Sequence, residues 1–386
     1  MKRLLPYLLS VACGVGAAVP ALPTTALADE RVPVSPPPVV EVAILLDTSN
    51  SMDGLIDQAR TRLWTIINTL ALSRRDGRLP DLRVALFEYG NDGLAGGANG
   101  HIRLVVPLST DLDKISAELF SLRTNGGSEF CGHVIRDAVQ KLEWAPGDHY
   151  RAIFIAGNEP FTQGSVHYAE AIAAAKAKGI VVNTIHCGAE AQARAGMWQE
   201  AAELAGGKCM NIDQDAATLA IATPYDKRLE ELAGSINFTY LAFGREGEKR
   251  KELQSAQDEA ARAAAPGALA ERAQSKGSGA YRNSGWDLVD AVADGSVDLA
   301  KLEDEELPEE MRGMTPEQRK AHVEKKAAER KAVREEIAKL SVEREKFIAA
   351  EKAKMAGSQA ETFDTAVKAV LVEQLEAKGF EMESGK

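Results

Sequence analysis

The apolar positions of this chain change rhythm several times, and each change marks an element. Residues 39–46 form a continuous apolar run broken only by Glu41, the pattern of a strand buried on both faces of a sheet. Over 55–72 the apolar residues recur at helical spacing instead: Leu55, Ile56, Ala59, Leu63, Ile66, Ile67 and Leu70. Strands are predicted over 82–89 and 102–106, then a helix over 112–122 with Asp111 as its cap. The alternation continues through a helix at 131–144, a strand at 152–156, a helix at 166–178 and a strand at 180–186. A helix at 191–204 and a short strand at 209–212 close the series. Strands separated by helices of this length predict an α/β fold, a doubly wound and mostly parallel sheet with helices on both faces. Such sheets bind ligands in the loops beyond the carboxyl ends of their strands.

Past Pro224 the alternation stops. A helix is predicted over 226–233, and the run 236–243 reads as an added edge strand, so the α/β domain is drawn at 39–245. Residues 246–314 read as a partly helical linker with a small apolar anchor at Trp286, Leu288 and Val289. Thr315-Pro316-Glu317-Gln318 then opens a mostly α-helical extension, 315–386: a capping threonine, proline at the first helical position, and a glutamine that closes the capping box. The long helix runs to about residue 355, roughly 60 Å at 1.5 Å per residue. Val333, Ile337, Leu340 and Phe347 recur along it at coiled-coil spacing, with Arg344 in one core slot. Self-association through this helix is one expectation, and a hairpin with a final helix over 362–377 is another.

Composition adds little to that picture except at its start. Lys2 and Arg3 precede an almost wholly apolar stretch, and Ala26-Leu27-Ala28 fits a small-x-small cleavage site. Residues 1–28 are therefore read as a signal peptide and 29–38 as a proline-rich tether, which places the protein in a periplasm or outside the cell. No later stretch has the eighteen or so apolar residues of a membrane span. The net charge of −11 argues against a nucleic-acid partner, because phosphate binding needs a basic surface.

The candidate chemistry begins where the first strand ends, at Asp47-Thr48-Ser49-Asn50-Ser51. A carboxylate followed by hydroxyls two and four residues later lets one tight turn present three oxygens to one point, as Mg²⁺ or Mn²⁺ requires. With that motif after a buried first strand, residues 39–213 resemble the von Willebrand factor type A family, a family of binding modules whose metal-ion-dependent adhesion site begins with Asp-x-Ser-x-Ser. The resemblance implies a second ligand loop at Thr124-Asn125-Gly126-Gly127-Ser128, with Ser128 supplying a hydroxyl. The third loop departs from the pattern: Gly157, in Ala156-Gly157-Asn158-Glu159, stands where the family carries an aspartate. Glu159 is the candidate to replace it, so the expected ligands are Asp47, Ser49, Ser51, Ser128 and Glu159. The expected function is recognition of a protein or cell-surface ligand, which offers an acidic side chain to the ion. The alternative is an assembly protein acting through its helical tail.

With the signal removed, Cys131, Cys187 and Cys209 remain, an odd number for an exported chain. Cys131 follows the Ser128 loop and Cys187 ends the fifth strand, so a Cys131–Cys187 disulfide bracing the ligand loops is expected, with Cys209 at the opposite rim. Cys131, His133, His186 and Cys187 also have the ligand types of a zinc site, though not a usual zinc spacing. Cys131 near His133 reads as a thiol and base, but the sequence has no phosphate-cradling glycine loop, Gly-x-Ser-x-Gly or His-Glu-x-x-His motif. The expectation is a binding module and not an enzyme.

Overall fold

Strand β1 (Val39–Asp47) is buried along its whole length. That burial organises the computed structural model, which describes residues 37–94, 100–212, 221–354 and 363–382. Helix α1 (Asp53–Ala71) and the short β2 (Ser73–Arg74) follow β1. β1 lies between and parallel to β3 (Asp81–Tyr89) and β5 (Tyr150–Gly157). Beside β3, β4 (Arg103–Ser109) pairs antiparallel as one edge. Beyond β5, β6 (Val181–Cys187) and β7 (Cys209–Ile212) continue the parallel run, giving the order β4-β3-β1-β5-β6-β7. This is the doubly wound α/β fold that the alternation predicts.

Successive β1 side chains point to opposite faces of the sheet. Val40, Val42, Ile44 and Leu46 join α1 and α2 (Leu112–Ser121) in one core. Ala43 and Leu45 join α3 (Cys131–Lys141) and α4 (Tyr168–Ala177) in the other. Glu41, the polar break in the run, is fully buried and satisfied: its carboxylate meets Arg83 at 3.3 Å and accepts from the Ala145 N–H at 2.9 Å. The helix expected at 191–204 is two helices, α5 (Glu190–Ala195) and α6 (Trp198–Leu204), because Met197 between them adopts a left-handed φ of 66°. The run 236–243 does not extend the sheet. α7 (Asp226–Asn237) takes its first residues, and an isolated bridge joins Ala242 to Asp287.

The chain past β7 folds back over the α1 face. α8 (Gly247–Ala264) packs on α2, while α9 (Ala268–Gly277) packs on α1 and α7. The residues read as a linker thus carry ordered helices, including α10 (Leu288–Ala293). The long helix forms as predicted, α11 (Pro316–Lys354), and Thr315 and Gln318 make the reciprocal hydrogen bonds of the capping box. Its buried positions include Val323, Arg330, Ile337 and Arg344, every seventh residue. Ile337 enters the α1-side core, and Val323 enters a small core with Leu241 and Leu288. The arginines fit between them because carboxylates await: Arg330 reaches Asp287 at 2.6 Å and Asp290 at 2.7 Å, and Arg344 reaches Asp226 at 2.8 Å. The coiled-coil spacing is therefore a seam within the chain. In place of the expected hairpin, α12 (Phe363–Ala377) packs on α1 and β7 and touches α11 through Lys368 and Glu345. β8 (Glu381–Met382) then pairs antiparallel with β2. From Pro37 onward the chain is one compact unit. The signal-like residues 1–28 lie outside the described residues, and among those described no helix is long and apolar enough to cross a membrane.

Candidate functional site

The register of the sheet gathers the site. Asp47, the last residue of β1, stands opposite Tyr89, the last of β3, and the β1–β5 pairing ends one step earlier at Leu46 and Ala156, just before Gly157. Three strand ends thus meet at the carboxyl edge of the sheet, where the Ser49 and Ser51 turn begins. The Asn125 N–H donates to the Thr48 carbonyl at 2.9 Å and the Asp92 N–H to the Gly126 carbonyl at 2.7 Å, which ties the 124–128 loop against β1 and β3. Gly127 is required for that approach, since a Cβ there would lie 2.4 Å from the Gly90 carbonyl oxygen.

Asp47 is fully buried. Its Oδ1 accepts the Ser49 N–H at 2.8 Å, while Oδ2 is buried with no hydrogen-bond partner. Burial, reinforced by the nearby Glu129 and Glu159, pushes its carboxyl up to about 8, against the pull of the Ser49 N–H. The Ser49 and Ser51 hydroxyls lie 3.3 Å apart, and the Asn158 amide donates to Ser51 Oγ at 3.1 Å. Ser128 sits half-buried in the second loop. Glu159 is half-buried, accepts from the Gln163 amide at 3.3 Å, and is near enough to raise the carboxyls of both Asp47 and Glu129.

The motif thus occupies the carboxyl end of a central parallel strand, with the glycine-rich second loop tied beside it. The strand order and the seat of this motif are those that the resemblance to the von Willebrand factor A family implies. The chain is similar in structure to the SpRpn10 VWA domain at 16% identity and a TM-score of 0.34, over 45% of this chain and 88% of that one. It is similar to the conserved hypothetical protein BatB from Bacteroides thetaiotaomicron at 21% identity and a TM-score of 0.35, over 45% and 90%. Proximal thread matrix protein 1 from the mussel byssus, whose metal-ion-dependent motif holds zinc, is similar at 11% identity and a TM-score of 0.34, over 45% and 42%. No family profile matches the sequence and no curated protein matches it.

The third loop is closed to the aspartate that the resemblance implies. A Cβ at Gly157 would lie 2.5 Å from the Tyr89 hydroxyl and 3.0 Å from Asp47 Oδ2. Tyr89 is fully buried and donates to the Ala156 carbonyl at 2.9 Å, so its phenol fills that position. Sequence reasoning missed this tyrosine and also Glu129, a buried carboxylate directly after Ser128. Beyond its place next to Ser128 nothing in the sequence marks Glu129, whose burial the fold supplies.

The expected Cys131–Cys187 disulfide is absent. The two cysteines share a rim but not a face: Cys131 packs in the α3-side core and Cys187 in the α1-side core. The zinc set fails for the same reason, and among the described residues no three His, Cys, Asp or Glu side chains converge as metal ligands. His133 is held by Ser165 at 3.1 Å with its ring tilted against Phe130, while His186 packs against Trp198. Burial, with Asp47 nearby, pushes the Cys131 thiol up, the opposite of what a thiolate nucleophile needs.

The oxygen set fits a hard divalent cation. One buried carboxylate oxygen has no partner, the turn that follows it brings two serine hydroxyls within 3.3 Å of each other, and burial holds Asp47 toward its protonated form. Asp47, Ser49, Ser51 and Ser128 would hold Mg²⁺ or Mn²⁺, which would supply an electrophilic site for an anionic oxygen of a ligand.

Proposed function

We propose that this A-type domain is a binding module of an exported protein, working in a periplasm or outside the cell. It recognises an acidic group on a protein or surface ligand through a divalent cation at Asp47. The observation that carries this reading is Asp47 Oδ2, buried without a partner at the carboxyl edge of the sheet. A buried polar atom left unsatisfied is costly, and in A-type geometry a cation is the group that relieves it. Binding is favoured over catalysis because the nearest candidate nucleophile, Cys131, is buried with a raised thiol pKa and faces the Tyr89 hydroxyl at 4.0 Å.

Calorimetric titration of Mg²⁺ and Mn²⁺ into the purified chain tests this, with Asp47→Ala as control. Micromolar-to-millimolar binding that disappears in the variant supports a working site. Absence of binding in both proteins refutes it.

A further inference from the structure

The carboxylates of this molecule follow a rule with two exceptions. Among the described residues, every other buried Asp or Glu has a Lys or Arg within ion-pair distance, as Asp258 has Arg272 at 2.6 Å and Glu88 has Arg103 at 2.5 Å. Asp47 and Glu129 have none, although Glu129 is only 6% exposed. Both crowd one point, for a Cβ at Gly90 would lie 2.7 Å from Asp47 Oδ1 and 2.9 Å from Glu129 Cγ. Ser49, whose N–H donates to Asp47 Oδ1 at 2.8 Å, is also near enough to Glu129 to act on its carboxyl. Two buried carboxylates side by side, neither with a basic neighbour, call for a positive charge that the chain itself does not provide.

We propose that Glu129 supplies the second carboxylate of the cation site, from the second loop, in place of an aspartate at position 157. The inference rests on the cation reading of Asp47 and assigns a ligand that the motif does not contain. It also displaces Glu159 from the inner set. Glu159 is half-buried and hydrogen-bonded to Gln163, and Asp47, Glu129 and Glu159 do not converge as a three-carboxylate site. Gly157 follows from the same arrangement: with Tyr89 seated at the third loop, the negative charge enters from the loop that already carries Ser128.

The test is Mn²⁺ binding to the full chain, followed by loss of the free-ion electron paramagnetic resonance signal, in wild type and in Asp47→Asn, Glu129→Gln and Glu159→Gln. Glu129→Gln is expected to weaken binding about tenfold or more, and Glu159→Gln to leave it within about twofold. Thermal melts without metal should show Glu129→Gln folded, since it removes an unpaired buried charge. Wild-type chain labelled with carboxyl-¹³C glutamate gives a readout that needs no variant: a ¹³C hyperfine coupling to the bound Mn²⁺. If Glu129→Gln binds like wild type while Asp47→Asn does not bind, or the labelled chain shows no coupling, Glu129 has no such role and the cation reading survives. If wild type binds no Mn²⁺, both readings fall together.

Discussion

At Gly157 a single missing side chain decides what kind of site this can be. Restoring the family's aspartate looks like a simple repair in sequence, yet the Tyr89 hydroxyl stands 2.5 Å from where its Cβ would go. Gly157→Asp is therefore expected to cost about 1–3 kcal/mol in urea unfolding, as overpacking does, and to bring no gain in Mn²⁺ affinity. A tightened Mn²⁺ affinity in that variant would show that Tyr89 yields and that the third loop is open. Asp47 carries the pH dependence. Its metal-free carboxyl sits at about 8 against an ordinary 3.8, so the folded chain holds a proton there that the unfolded chain releases. Its share of metal-free stability is full below the ordinary carboxylate range and is lost as pH rises toward 8. Mn²⁺ competes with that proton, so affinity should climb between pH 6 and 8, and saturating Mn²⁺ should flatten the pH dependence of Tm. A pH-independent affinity across that range would contradict the protonated state of Asp47. Asp47, Ser49 and Ser51 were legible in sequence because their spacing along one turn is itself the signal. Glu129 was not, because its meaning lies in burial and in the absence of a basic neighbour, which only the fold reveals.

Elements were legible wherever one rhythm ran unbroken. β1, α1 and α11 follow their apolar patterns closely, and the capping box at Thr315 is formed as read. What the rhythm of α11 could not show was its partner. A seven-residue repeat of Val323, Arg330, Ile337 and Arg344 suits a second helix of another chain as well as a groove of this one. The buried arginines settle it, since their carboxylates come from α7 and from the start of α10. Arg330→Ala would leave Asp287 buried and unpaired, and is expected to cost about 3–5 kcal/mol in urea unfolding. A loss below about 1 kcal/mol would mean that the pair is dispensable. The cysteine reading failed for a reason of the same kind. Ends of neighbouring strands share a rim, but alternation along β6 turns Cys187 to the face away from Cys131.

Across the whole molecule, the segment after β7 completes the core. Arg272 and Lys276 of α9 meet Asp258 of α8 in full burial, Arg272 also reaches Asp113 of α2 at 2.8 Å, and its guanidinium lies 4.6 Å from the Trp64 ring of α1. With Arg272 and Lys276 beside it, the Asp258 carboxyl is held at about 2 despite its burial. The stability it contributes is present above its ordinary value of 3.8 and is lost as pH falls toward 2. Deleting residues 316–382 would uncover Leu371 and Leu375 contacts on α1 as well as the α11 seam. The shortened chain is expected to melt well below the full one, or to aggregate, and an unchanged Tm would show that the α/β domain stands without its extension.

The pairing of β8 with β2, and of α12 with α1, also orders events in time. The surface of α1 awaits residues made after every other described element, so through most of synthesis this chain carries an unfinished interior. Val367, Leu371 and Leu375 close that interior, so its last apolar surface is covered only when nearly the whole chain has been made.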